Sequence, residues 1–232
     1  MGKKLESQNS TQTGVDGRIK KPYHKLDLKS QPKITAIVLA AGQSLRMGHK
    51  NKLLQKINRK SILRHVLSSI KNSRIERTIV VLGHEAEKIK LDLQTDEVSY
   101  ALNLDYELGI STSIRTGIEA IEETAAGVLV ALGDMPGISP AIINTLVDNF
   151  QSKVRAEICV PVYEGQPGNP VLWSRKFFSQ LASLNGDVGG KKLIEENSDV
   201  VAFCSVDTEF VHLDVDTQGQ LESLRASFGN LS

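Results

Sequence analysis

The run Ala40-Ala41-Gly42-Gln43-Ser44-Leu45-Arg46-Met47-Gly48, with Lys52 close behind it, is suited to holding a triphosphate. Its small residues let backbone approach a ligand, and Gly42 and Gly48 are free to take positive φ and turn amide N–H groups toward one anion. Arg46 can bridge two phosphate oxygens with its planar fork, while Lys52 supplies a mobile point charge. The same stretch also admits a plainer reading, a strand-to-helix turn with two surface cations. It is not a P-loop, because Gly48 is followed by His49, and it lacks the G-x-G-x-x-G of a dinucleotide-binding fold.

Four further places carry groups of the right chemistry. Asp134, in Leu132-Gly133-Asp134-Met135-Pro136, falls at the end of an apolar run, where a hard carboxylate suits Mg²⁺; alternatively it caps the helix expected to begin near Ser139. A second carboxylate for such an ion could come from Asp187 in GDVGGKK, or from Asp214 or Asp216 in LDVDT. In a strand, Asp214 and Asp216 would share a face, although Asp216-Thr217 also resembles a helix start. Glu164-Gly165-Gln166-Pro167-Gly168-Asn169-Pro170 makes a defined turn, either a simple hairpin or a mount for an amide side chain that reads a nucleobase or acceptor edge. Ser111, Thr112 and Ser113 open a helix, which offers a second anion contact or merely an N-cap. His49, His65, His84 and Trp173 are read as structural.

The elements that must position these residues are legible as apolar runs. ITAIVLA (34 to 40) is a continuous strand-length run, as expected of a strand covered on both faces, and similar runs recur at 77 to 83, 99 to 104, 127 to 133, 156 to 162, 200 to 206 and 210 to 215. Between them lie amphipathic helices, with Ile62, Val66 and Ile70 on one face, Ile110, Ile114, Ile118 and Ile121 on a second, and Ile142, Ile143, Leu146, Val147 and Phe150 on a third. The alternation predicts a three-layer α/β/α domain with a mostly parallel sheet, whose ligands sit at the carboxyl ends of the strands. Residues 1 to 32 show no apolar periodicity and are expected to form a flexible tail, leaving 33 to 232 as one domain.

Composition narrows the partners. A formal net charge of +1 over 232 residues gives no whole-molecule field for nucleic acid or an anionic membrane, so a phosphate ligand must be held by local charge. Cys159 and Cys204 lie in strand-like runs without metal-ligand spacing and read as reduced core thiols. No run approaches the ~20 apolar residues of a membrane span, and MGKKLESQNS lacks the apolar segment of a secretory signal, so the expected address is cytoplasmic.

In this order, LAAGQSLRMG with Lys52, LGDMP, EGQPGNPVLW, GDVGGKK and LDVDT resemble the molybdopterin nucleotidyltransferases among the MobA-like NTP transferases, and specifically the molybdenum cofactor cytidylyltransferase branch. The resemblance runs from Ile34 to about Leu224; LAAG rather than LAGG is what favours cytosine over guanine. It implies a Rossmann-type fold like that of the nucleotide-diphospho-sugar transferases and a Mg²⁺-dependent transfer of CMP from CTP to the phosphate of molybdopterin-bound molybdenum cofactor. It also implies delivery to an apo-molybdoenzyme of the xanthine dehydrogenase type. By the same resemblance, Leu39, Ala40, Ala41, Gly42, Ser111, Ser113 and Gly133 meet the nucleotide, and Arg46 and Lys52 its phosphates. Gly168, Asn169, Pro170 and Asp187 face the acceptor, and Asp134 with Asp187 or Asp214 holds the metal. The interval from Gly48 to Lys52 is one residue longer than usual, so that Lys50 could share the role of Lys52. The alternatives are a guanylyltransferase, a sugar or alditol phosphate nucleotidylyltransferase and, in another class, a non-catalytic carrier of the pterin cofactor.

Overall fold

In the computed structural model, which describes residues 32–48, 50–152 and 156–229, the first apolar run is strand β1 (Ile34–Ala40). There follow β2 (Lys56–Ile57), β3 (Lys60–Ser61), α1 (Ile62–Lys71), β4 (Arg77–Leu82), α2 (Ala86–Asp92), β5 (Ser99–Leu102), α3 (Ile110–Glu119), β6 (Gly127–Leu132) and α4 (Pro140–Gln151). The remainder comprises β7 (Ile158–Tyr163), β8 (Gln166–Pro167), β9 (Val171–Ser174), α5 (Phe178–Ala182), α6 (Lys191–Glu196), β10 (Val201–Ser205) and α7 (Gln218–Gly229). Apart from Pro32, the stretch expected to be a flexible tail lies outside the described residues.

The main sheet has the order β10-β7-β9-β6-β1-β4-β5, with β8 added to β7. β1 is central and runs parallel to both β4 and β6, β5 continues parallel to β4, and β10 is parallel to β7. Only β9 runs against its neighbours within that order, pairing antiparallel with β6 and β7. Strand pleating explains why β1 has no polar face. Ile34, Ala36, Val38 and Ala40 pack into one core with α1, α4 and α7, whereas Ile37 packs into a second core with Ile114 and Ile118 of α3 and Leu181 of α5. Helices therefore cover both faces, the expected three-layer arrangement.

Two departures bear on the site. The run 210 to 215 is not a strand: Glu209–Val211 is a 3-10 turn and the chain then continues irregularly. Val211 and Val215 are buried as a strand's core face would be, but the segment is held by single backbone bonds, Asn169 N to Val211 O (2.9 Å) and Val215 N to Asp134 O (2.9 Å), rather than by a ladder. Conversely, Val171–Ser174 is a full strand, β9, directly after the turn residues 164 to 170. Glu164 and Gly165 both have positive φ and close the two-residue hairpin from β7 to β8, so the plain hairpin is present.

Candidate active site

The loop after β1 folds back on itself before α1. Ser44 is left-handed (φ 57°), Leu45–Met47 forms a 3-10 turn, and Gly48 has φ 67°, so the positive φ expected at Gly42 falls on Ser44 instead. The Ser44 hydroxyl accepts a bond from Lys52 N at 3.1 Å, which closes the loop and aims the Lys52 side chain across the end of the sheet. A carbonyl of β1 secures the facing strand end, Gly133 N donating to Leu39 O at 3.0 Å. A side chain at Gly133 would meet that same oxygen at 2.9 Å, which is why glycine stands there.

Beyond Gly133 the chain exits into Asp134. The helix-cap alternative for Asp134 is excluded by Ser139, whose hydroxyl accepts from Ile142 N and caps α4, with Pro140 in the first turn. Asp134 is thus left free to face the cleft. Its own carbonyl, bonded to Val215 N, draws the 212 to 217 segment alongside and brings Asp214 and Asp216 opposite its carboxylate. Asp216 directly precedes the capping arrangement of α7, in which Gln220 Oε1 accepts from Thr217 N (2.9 Å) and Thr217 Oγ1 accepts from Gln220 N (3.3 Å). Asp214 and Asp216 therefore converge as expected, although no strand is involved.

The result is a compact charge cluster. Lys52 Nζ lies 2.6 Å from Asp134 Oδ2 and 2.7 Å from Asp216 Oδ1, and Arg46 Nη2 lies 2.6 Å from Asp216 Oδ2. Lys52 and both its carboxylate partners are largely covered, whereas the Arg46 side chain is 71% exposed. Burial lowers the basicity of Lys52, but the Asp134 and Asp216 carboxylates outweigh it and raise its pKa above the ordinary value. Burial likewise disfavours ionised Asp216, yet Lys52 and Arg46 hold its pKa below the usual carboxylate range. Asp214 is pushed up, first by burial and then by the Asp216 and Asp134 charges.

Carboxylate oxygens of Asp134, Asp214 and Asp216 all lie within 4.8 Å of one another, and Asp134 Oδ1 is buried without a hydrogen-bond partner among the described residues. Three hard oxygen donors with an unsatisfied buried lone pair fit a divalent cation such as Mg²⁺ or Mn²⁺.

These groups line a cleft of about 400 Å³ together with Leu39, Ala41, Gly42, Ser113 and Asp187. Asp187 stands apart from the carboxylate trio: its Oδ1 accepts from Ile110 N at 3.4 Å, at the amino terminus of α3. Ala40 and Ser111 are buried away from the cleft, and Lys50 does not line it. Tyr106 does, and no motif pointed to it. Through Ile110 and Leu132 the cleft adjoins a second cavity of about 540 Å³, to which Gly168 and Asn169 contribute but Pro170, buried beside them, does not. Trp173, read as purely structural from sequence, packs against Phe177 and also walls this cavity.

A strand-end loop bearing two cations opposite a carboxylate trio is the arrangement of an enzyme that handles polyphosphates. Residues 36–201 match the family described as the MobA-like NTP transferase domain. The chain belongs to that family. By family it is a nucleotidyltransferase, and its fold is shared by solved structures. The Mycobacterium tuberculosis Rv0371c homolog from Mycobacterium sp. strain JC1 is 31% identical with a TM-score of 0.76, covering 86% of this chain and 98% of that one. Rv0371c from M. tuberculosis, solved in complex with manganese, is 29% identical with a TM-score of 0.73, covering 84% and 99%. Among curated proteins, the bifunctional protein GlmU of Staphylococcus haemolyticus is 32% identical over 119 residues, 50% of this chain and 26% of that protein. The chain thus spans about a quarter of the length of that relative. No helix among the described residues is long and apolar enough to cross a membrane.

Proposed function

We propose that the chain transfers CMP from CTP to the terminal phosphate of molybdopterin-bound molybdenum cofactor and releases pyrophosphate. The observation that carries this acceptor is the second cavity. Its walls are mainly aliphatic and aromatic, with Trp173, Phe203, Val160 and Ile194 among them and Asn169, Gln166, Ser198, Lys191 and Glu195 at polar points. Such a chamber suits a flat heterocycle that needs a few placed hydrogen bonds. A sugar, which presents hydroxyls all round, leaves many of them unpaired against apolar walls.

In this reading Leu39, Ala41, Gly42 and Ser113 line the nucleoside side of the cleft, Arg46 and Lys52 grip the phosphates, and Gly168 and Asn169 border the acceptor. An acceptor phosphate oxygen attacks the α-phosphorus of CTP, a new P–O–P bond forms, and the α–β bond breaks with its electron pair leaving on pyrophosphate. The acceptor phosphate is largely ionised at neutral pH, so no general base is required. Arg46 and Lys52 bring two polyanions together and offset the charge that builds on the leaving group. Asp134, Asp214 and Asp216 would hold a divalent ion, which supplies charge neutralisation and orientation of the triphosphate. The manganese complex of Rv0371c supports a metal in this family's fold.

A sugar or alditol phosphate acceptor is the second reading, favoured by the similarity to GlmU. The discriminating experiment incubates the chain with CTP, GTP or UTP, Mg²⁺ and each acceptor class while pyrophosphate is measured. Pyrophosphate formed with CTP and molybdenum cofactor supports the proposal. Formation only with sugar or alditol phosphates overturns it, and tight pterin binding without any pyrophosphate makes the chain a carrier.

A further inference from the structure

Lys52 is paired with two of the three carboxylates that would hold a divalent ion. Its ammonium contacts Asp134 Oδ2 and Asp216 Oδ1 at 2.6 and 2.7 Å, so the residues it bridges are two of the three whose carboxylates come within 4.8 Å of one another. A second cation cannot share so small a space with it, because like charges a few ångströms apart in a partly covered cleft repel strongly. Yet among the described residues the same side chain is one of two cations lining the cleft, the other being Arg46, and a bound triphosphate needs it. Lys52 cannot serve the carboxylates and the phosphates at once.

The backbone around it is pinned while the side chain has room to swing. Lys52 N donates to Ser44 Oγ, and the next residue's N–H donates to Asn51 Oδ1 at 3.0 Å, so the loop holds its shape while the four-carbon stem moves. Arg46 cannot substitute as the plug, since it reaches only Asp216 and from the solvent side. Charge balance points the same way. With Lys52 and Arg46 in place, the three carboxylates retain only a small net negative charge, too little to draw a hydrated divalent ion from water. A triphosphate that attracts Lys52 uncovers the full set.

We propose that Lys52 is a tethered counter-ion that keeps the carboxylate trio closed to free divalent metal and opens it only to nucleotide. The ligand the resting site accepts is then the metal–nucleotide complex as a unit: Lys52 leaves Asp134 and Asp216 for the phosphates and vacates the seat the metal takes. Metal and nucleotide are therefore mutually dependent ligands, each tightening the other by the same factor, and Lys52 adds to the coupling that direct binding of the ion by the triphosphate supplies. The inference rests on the metal-dependent nucleotidyl transfer proposed above but not on the identity of the acceptor.

The test is Mn²⁺ binding followed by electron paramagnetic resonance on the full chain, without acceptor, in the absence and presence of CTP. In the wild type, Mn²⁺ alone binds weakly, and CTP tightens it by about tenfold or more. Lys52→Met should tighten Mn²⁺ binding in the absence of nucleotide by about tenfold and bring the effect of CTP down toward the affinity of CTP itself for the ion. Lys52→Arg, which keeps a cation in reach, should stay close to wild type. A folded Lys52→Met protein that binds Mn²⁺ alone no tighter than wild type overturns the tether. Should that variant fail to fold, the wild-type titration decides, since strong Mn²⁺ binding that ignores CTP overturns it equally. Turnover that persists without any coupling defeats the tether alone, whereas coupling with no turnover on any acceptor defeats the enzymatic reading and leaves the tether standing.

Discussion

The two chambers share a wall at Ile110 and Leu132 but are built on opposite principles. The first gathers charge from distant parts of the chain: Arg46 and Lys52 from the loop after β1, Asp134 from the end of β6, and Asp214 and Asp216 from the segment before α7. Its charges are joined by ion pairs, Lys52 to Asp134 and Asp216 and Arg46 to Asp216. The second is assembled from core-like side chains of β6, β7, β9, α3 and α6, and its shape is maintained by glycine at 190, where a Cβ would strike Trp173 at 2.4 Å. Under the proposed function this implies a division of labour, in which charge would hold the donor, shape would hold the acceptor, and the reacting phosphate would lie at the wall between them. If that is correct, mutations on the two sides should separate in their kinetics.

The largest effect should come from the charged side. Asp134→Asn removes the carboxylate whose buried oxygen is unpartnered, and losing one preorganised charge-stabilising group commonly costs ~3 kcal/mol of barrier, about a hundredfold or more in turnover. Ser139 caps α4 independently, and Val215 bonds to the Asp134 backbone, so circular dichroism should stay native. Pyrophosphate release within a few-fold of wild type would remove the metal role from Asp134.

A glycine pair then tests the separation itself. Gly190→Ala crowds the Trp173 ring and should raise the acceptor KM by about tenfold, with little change for CTP. Gly42→Ala adds a methyl that meets no protein atom within 4 Å, so its effect should appear in the CTP KM and not in the melting point. Equal effects of both variants on both substrates would mean that the two cavities act as one. Smaller still, Arg46→Lys keeps the charge and loses the bidentate fork, for which a decrease of about tenfold in kcat/KM is expected. Because Arg46 is 71% exposed, its ion pair with Asp216 contributes little to stability, and thermal unfolding should not register the change.

How much of this could be read in the chain follows the same division. β1 and its loop were legible because a strand buried on both faces is apolar at nearly every position, Thr35 excepted, and the glycines, Arg46 and Lys52 stand out against it. Asp134 was visible but ambiguous until Ser139 was seen to cap α4. Asp214 and Asp216 were placed together by a strand argument, yet what unites them is a backbone bond from Val215 to Asp134, a long-range contact with no local signature. The alternation in 210 to 215 reports burial of Val211 and Val215 correctly, but burial alone does not say whether a neighbouring strand is available for pairing. The apolar chamber was the least legible part. Trp173 and Val160 look the same in sequence whether they fill a core or wall a cavity, and only packing distinguishes the two.

The smallest predicted effect is also the one with two signs. Burial, then the charges of Asp216 and Asp134, push the Asp214 carboxyl above its ordinary value, so the folded state binds its proton more readily than the unfolded chain does. The stability this contributes is present below the ordinary carboxylate pKa and is lost as pH rises through the raised value. Asp216 behaves oppositely: Lys52 and Arg46 depress it against the opposing effect of burial, and its contribution is lost only as pH falls through the depressed value. Acidification should therefore silence Asp214 as a metal ligand before the Lys52 to Asp216 pair is touched. Accordingly, Asp214→Asn should weaken Mn²⁺ binding in the presence of CTP while raising the melting temperature at neutral pH, by no more than about 2 °C for a chain this size once solvent screening is allowed for. That gain should shrink as pH falls into the range where wild-type Asp214 takes up its proton. A melting temperature that instead drops at neutral pH would show that Asp214 is held by attraction to Lys52 rather than strained by its neighbours, and the charged chamber would then be balanced differently from the account given by its distances.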